Sequence, residues 1–174
     1  MNYGEIKEFD VANGEGVRVT LFVSGCTNHC KGCFQPQTWD FTYGRRFDGA
    51  AEKKILDFLD FPYADGVTFL GGEPMEPDNQ RELVKLARKI RETHPDKTIW
   101  CFTGFVYDRD LIPGGKRYIE VTDDLLDLID VLVDGPFILA QRNIALTFRG
   151  SENQRVIDMK KTRAEGRVAL YLTD

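Results

Sequence analysis

A chain of 174 residues is long enough to bury a substantial core and falls in the size range of one domain, here residues 1–174. Its 42% hydrophobic and 29% charged residues are ordinary for a globular fold, and the formal charge of −5 speaks against a general nucleic-acid or acidic-membrane surface, both held by basic patches. The N-terminus MNYGEIKEFD lacks a basic segment followed by an apolar run and no stretch reaches the length of a membrane span, so a cytoplasmic protein without nucleic-acid or membrane partners is expected.

Residues 1–16 are polar and end in the turn signal Asn13-Gly14-Glu15-Gly16. Val17, Val19, Leu21 and Val23 then alternate, and Phe22 adds a second apolar face, so Val17 to Ser24 reads as a buried strand. Asp48 is placed to cap a helix running to about Asp60, with Ile55, Leu56 and Leu59 on its inner face. Val67 to Leu70 is a second strand, ending in Gly71-Gly72-Glu73-Pro74. Asp78 is the expected cap of a helix to about Thr93, in which Leu83, Leu86, Ala87 and Ile90 recur at helical spacing. Thr98 to Thr103 is a third strand ending at Gly104, Thr122 is the expected cap of a short helix through Asp130, and Val131 to Val133 is a fourth strand ending at Asp134-Gly135. Beyond it the pattern weakens, and Lys160 to Asp174 suggest no function. Strands alternating with helices across long connections imply an α/β fold with parallel pairing, either a βα barrel or an open part of one, since a full eight-fold barrel takes about 250 residues.

Chemistry concentrates in Cys26-Thr27-Asn28-His29-Cys30-Lys31-Gly32-Cys33, spaced C-x3-C-x2-C at the end of the first strong strand. Thiolates on one short loop converge on one inorganic centre, and soft sulfur selects iron-sulfur clusters, zinc or copper(I). Three ligands without a near fourth leave one iron of a four-iron cluster open, whereas a structural zinc would recruit His29 or Cys101 as the fourth. Gly71-Gly72-Glu73-Pro74 suits either a plain turn or a site where backbone approaches a ligand and the Glu73 carboxylate accepts from an ammonium. Thr103-Gly104 suits a turn or a ligand contact through a hydroxyl and an open backbone. Cys101 reads as a small buried hydrophobe. Asp134 at a strand mouth needs a hydrogen-bonding or cationic partner. Arg149 to Arg155 is either a solvated loop or, through its two arginines with Ser151 and Asn153, a carboxylate or backbone clamp. No hydrolase constellation and no phosphate loop is present.

The triplet resembles the signature of the radical S-adenosylmethionine (SAM) enzymes. The stretch VRVTLFVSGCTNHCKGCFQPQTWDF is similar to the start of the small activating proteins of anaerobic ribonucleoside-triphosphate reductase, including Thr38-Trp39. Gly71-Gly72-Glu73-Pro74, Thr103-Gly104, Asp134-Gly135 and the segment RGSENQR (149–155) follow in that family's order, so the resemblance spans roughly residues 3–158. It implies a partial βα barrel open along one side. It also implies that Cys26, Cys30 and Cys33 hold a 4Fe-4S cluster whose free iron binds SAM. In that family, reductive cleavage of SAM yields a 5′-deoxyadenosyl radical that takes a hydrogen from a glycine of the reductase's glycyl radical subunit. The implied SAM-binding residues are Phe34, Gly71, Gly72, Glu73, Pro74, Thr103, Gly104, Asp134, Arg149, Ser151 and Asn153. No further cysteine set is present for additional clusters, so the electron is expected from an external donor such as a flavodoxin. The alternatives are an activator of another glycyl radical enzyme such as pyruvate formate-lyase, or a non-catalytic zinc-binding module.

Overall fold

The computed structural model describes residues 1–172. Its elements are β1 (Asn2–Asp10), β2 (Arg18–Val23), β3 (Arg45–Arg46), α1 (Gly49–Leu59), β4 (Gly66–Gly71), α2 (Pro77–Thr93) and β5 (Thr98–Phe102). There follow α3 (Tyr107–Asp110), α4 (Thr122–Leu128), β6 (Val131–Asp134), β7 (Arg155–Asp158) and α5 (Met159–Glu165). The strands form one sheet in the order β3-β1-β2-β4-β5-β6-β7, and the two ends do not pair with each other, so the sheet is open. Thr173 and Asp174, the end of the expected single domain, lie outside the described residues.

The four expected strands, β2, β4, β5 and β6, are neighbours and pair in parallel. All six residues of β2 are buried, as a parallel strand covered on both faces must be. One face carries Val19, Leu21, Val67, Phe69, Ile99, Cys101 and Leu132 into a core with Ile55, Phe58, Leu83, Leu86 and Leu125 from the helices. Each such side chain contributes about 1.5–3 kcal/mol of burial. Cys101 is therefore the buried hydrophobe that the sequence suggests. The other face is polar at one end. There Arg18, 1% exposed, donates to Thr68 Oγ1, Thr98 Oγ1 and the carbonyls of Glu15, Val67 and Thr98, which satisfies its buried guanidinium with neutral acceptors.

The flanks correct an all-parallel expectation. β1 runs antiparallel to β2 and β7 antiparallel to β6. β1 falls in the segment read as polar because only Ile6 and Asp10 of its nine residues are buried, so no alternating apolar pattern marks it. Two helix starts also differ. Asp48 does cap α1, accepting from the backbone N–H groups of Ala50 and Ala51. Asp78 instead lies inside the first turn of α2, because Pro77 takes the first helical position without needing a donor. The Thr122 hydroxyl donates to Gln80 Oε1 and accepts from Ile119 N–H, so it ties α4 to α2 rather than capping it. No described helix is long and apolar enough to cross a membrane.

Candidate active site

Parallel pairing puts the C-terminal ends of β2, β4, β5 and β6 along one edge of the sheet, and each end opens into a sequence motif. A cavity of about 620 Å³ lies there, lined by all three loop cysteines. It is also lined by Phe34, Gly72, Glu73, Thr103, Gly104 and Arg149, so these expected site residues share one space. Gly71, Pro74, Asp134, Ser151 and Asn153 are not among its lining residues.

The cysteine loop is held from three directions. From one side, the 3₁₀ turn Pro36–Trp39 offers the Thr38 carbonyl to Gly25 N–H at 2.8 Å and the Trp39 carbonyl to Cys26 N–H at 3.1 Å. The Trp39 ring also stacks on His29, with centroids 4.5 Å apart. From the β4 turn, Glu73 reaches Asn28 and Glu76 reaches Thr27. Glu76, 3% exposed, accepts from Thr27 N–H at 2.9 Å and from its hydroxyl at 2.5 Å. Arg117 closes this corner, with Nε 3.3 Å from Glu76 Oε2, Nη2 donating to the Thr27 hydroxyl, and its guanidinium over the Phe105 ring.

Glu73 joins three strand ends. Its Oε1 accepts from Met75 N–H and the Thr103 hydroxyl, and its Oε2 from Gly104 N–H at 2.8 Å and Asn28 Nδ2 at 2.9 Å. Those four donors fill the lone-pair sites of a carboxylate and favour the anion. Burial at 1% exposure opposes them and pushes the acid up to about 7. Burial, with Glu73 nearby, likewise raises the Cys26 thiol to about 11, and burial raises Cys30. The glycines of this turn have a concrete reason. A Cβ on Gly72 would stand 2.6 Å from the Gly25 carbonyl oxygen and 2.8 Å from that of Thr38. Gly71, at φ +108°, abuts the Val23 backbone.

Asp134 has the cationic partner its position demands. Arg155 meets it through Nε at 2.9 Å and Nη2 at 2.5 Å, and Tyr107 N–H adds a third bond. This pairing keeps Asp134 within the wall. The 149–155 segment is likewise folded on itself. Gln154 Oε1 accepts from the N–H groups of Gly150 and Ser151, and its Nε2 donates to the Gly135 carbonyl. Ser151 Oγ accepts from Ile138 N–H, and Asn153 Nδ2 donates to the Pro136 carbonyl. Asn153 Oδ1 is buried and accepts no hydrogen bond among the described residues. Among the described residues, no three His, Cys, Asp or Glu side chains converge as a site for a single metal ion.

Asn28, Glu76, Arg117 and Gln154 are the site residues that the sequence alone does not single out. For Glu76 a weak signal exists, since it follows Glu73 by three positions in the same turn.

A family model described as a 4Fe-4S single cluster domain matches residues 12–157. The chain is 41% identical over 156 residues to the anaerobic ribonucleoside-triphosphate reductase-activating protein of Haemophilus influenzae, covering 88% of this chain and 96% of that one. Against the protein of the same name from Vibrio cholerae it is 40% identical over 156 residues, covering 88% and 96%. Against that from Escherichia coli it is 38% identical over 158 residues, covering 90% and 97%. With the cluster-domain match spanning the cysteine loop and every strand end of the cavity, the chain belongs to the family of anaerobic ribonucleoside-triphosphate reductase-activating proteins.

Proposed function

We propose that the chain, acting throughout its length as one radical SAM domain with the shape of a partial βα barrel, installs a glycyl radical on an anaerobic ribonucleoside-triphosphate reductase. The observation that carries this reading is the convergence of three thiols from one short loop with the ends of parallel strands on a single cavity. The donor set fits a 4Fe-4S cluster: Cys26, Cys30 and Cys33 supply three soft ligands, and their loop supplies no fourth.

When bound, the cluster and SAM supply reductive cleavage of the sulfonium to methionine and a 5′-deoxyadenosyl radical, which takes a hydrogen from the α-carbon of a glycine in the reductase. The chain's own residues bind and orient. Cys26, Cys30 and Cys33 would hold the cluster as thiolates, a state that iron ligation would favour against the burial that raises Cys26 and Cys30 as free thiols. Gly72 and Gly104 present backbone to the cavity, and Thr103 and Arg149 stand beside them. All lone-pair sites of Glu73 are filled, so a ligand ammonium takes this carboxylate only by displacing a donor. Asn28, the one partner carried by the cysteine loop, is the donor that can turn away. The unsatisfied Asn153 Oδ1 offers an acceptor just behind the wall. Asp134, Ser151, Gly71 and Pro74 act by holding that wall.

An electron donor such as a flavodoxin is assigned from the single cysteine triplet, and a cytoplasmic location from four free cysteines in the described chain. The test is anaerobic incubation of the iron-loaded protein with reductant, SAM and the reductase. A glycyl radical signal on the reductase is expected. A signal on pyruvate formate-lyase and none on the reductase would overturn the assignment.

A further inference from the structure

Phe34, Leu139 and Ile144 are 74%, 43% and 89% exposed, yet all three line the cavity that the cysteines open into. A side chain that both lines a cavity and meets solvent stands at its mouth. None of the three belongs to a hydrophobic core cluster, so the fold does not require them to be apolar. They come from two segments that meet: a Cβ on Gly32 would lie 3.0 Å from Leu139 Cδ1 and 3.5 Å from Phe137 Cε1. The strap that carries Leu139 and Ile144 is tied back at its base by the Arg142–Ser151 bridge and by Asn143 N–H to the Gly150 carbonyl.

We infer that Phe34, Leu139 and Ile144 form a docking collar for the reductase segment that carries the target glycine, and that this segment enters extended, with apolar side chains on both sides of the glycine. The inference rests on the function proposed above. A glycine has no side chain to be recognised, so selectivity has to come from its neighbours in the chain. Hydrogen removal requires the glycine α-carbon to enter the cavity, and any segment that does so passes the mouth. An extended segment projects successive side chains to opposite sides about 3.3 Å apart along the chain. With the glycine turned into the cavity, the residues two positions before and after it share its face and meet the collar, which gains stability only by removing apolar surface from water.

The test is a Leu139→Ser/Ile144→Ser double variant of the iron-loaded protein, with dithionite as reductant so that no donor protein takes part. Reductase-independent production of 5′-deoxyadenosine and iron content are expected within twofold of wild type. The apparent KM for the reductase is expected to rise about tenfold, and a Leu139→Met/Ile144→Leu variant is expected to keep it. A double variant that activates the reductase at wild-type KM overturns the collar alone. A wild-type chain that cleaves SAM yet puts no radical on the reductase overturns the parent reading, and the collar with it.

Discussion

Replacing Glu76 with alanine should loosen the cysteine loop from its far side. The carboxylate is almost fully buried, accepts two hydrogen bonds from Thr27, and faces Arg117 at 3.3 Å. Hydrogen bonds to a charged group contribute about 1.5–3 kcal/mol each, and removing one partner of a buried ion pair costs roughly 3–5 kcal/mol. Arg117 keeps its bond to the Thr27 hydroxyl and its place over Phe105, and Thr27 is exposed enough for water to reach its amide. These compensations put the loss at the low end, about 3 kcal/mol. For a chain of this size each kcal/mol shifts Tm by roughly 2–4 °C, so Glu76→Ala should melt about 6–12 °C below wild type. Glu76→Gln retains an acceptor for Thr27 but no charge for Arg117, and should fall about halfway. The assay is thermal denaturation of the metal-free protein followed by anaerobic iron loading, where Glu76→Ala should retain iron less well. A Glu76→Ala protein that melts within 2 °C of wild type and holds the same iron would refute the anchoring role, 2 °C being about what 1 kcal/mol gives at the low end.

Three other perturbations follow from the same geometry. Arg155→Ala leaves Asp134, 1% exposed, without its bidentate partner and should cost about 3 kcal/mol, with Asp134→Asn in the same chain restoring part of it; denaturant titration of the three proteins checks both. Gly72→Ala drives a Cβ onto two carbonyl oxygens and should cost at least about 1–3 kcal/mol and lower iron retention, read by melting and iron assay. Glu73 carries an ordinary acid value of 4.5 pushed up to about 7 by burial, so between those pH values the folded state holds more protons than the unfolded. Stability from this group therefore falls as pH rises through that window, by about 3 kcal/mol at 1.36 kcal/mol per unit. The pH dependence of metal-free wild type minus that of Glu73→Gln should show this slope, and equal slopes would remove it.

The parallel centre of the sheet was legible because strands buried on both faces, such as Val19 to Val23, leave near-continuous apolar runs. The motifs at their ends were legible for the same reason, since parallel neighbours collect their C-terminal ends at one edge. β1 was not, because Glu5, Lys7 and Glu8 face solvent and mask its two buried residues. β7 begins at Arg155, whose charge is satisfied by residues distant in the chain, Asp134 at the end of β6 and Asp108 in α3. The tethers of the cysteine loop join residues far apart in the chain, Thr27 to Glu76 and Arg117, Asn28 to Glu73, and no local spacing encodes such pairs. Glycines 71 and 72 were read either as a plain turn or as letting backbone approach a ligand. Their tightest contacts are with the backbone of Val23, Gly25 and Thr38, so close packing of β4 against the cysteine loop already requires them.

The most direct test of the cofactor chemistry is iron and zinc content with an absorption spectrum of protein purified without oxygen, taken before and after dithionite and SAM. About four irons per chain, bleaching on reduction, and release of 5′-deoxyadenosine are expected of a cluster held by Cys26, Cys30 and Cys33. A colourless chain carrying one zinc, and forming no cluster on reconstitution, would contradict it.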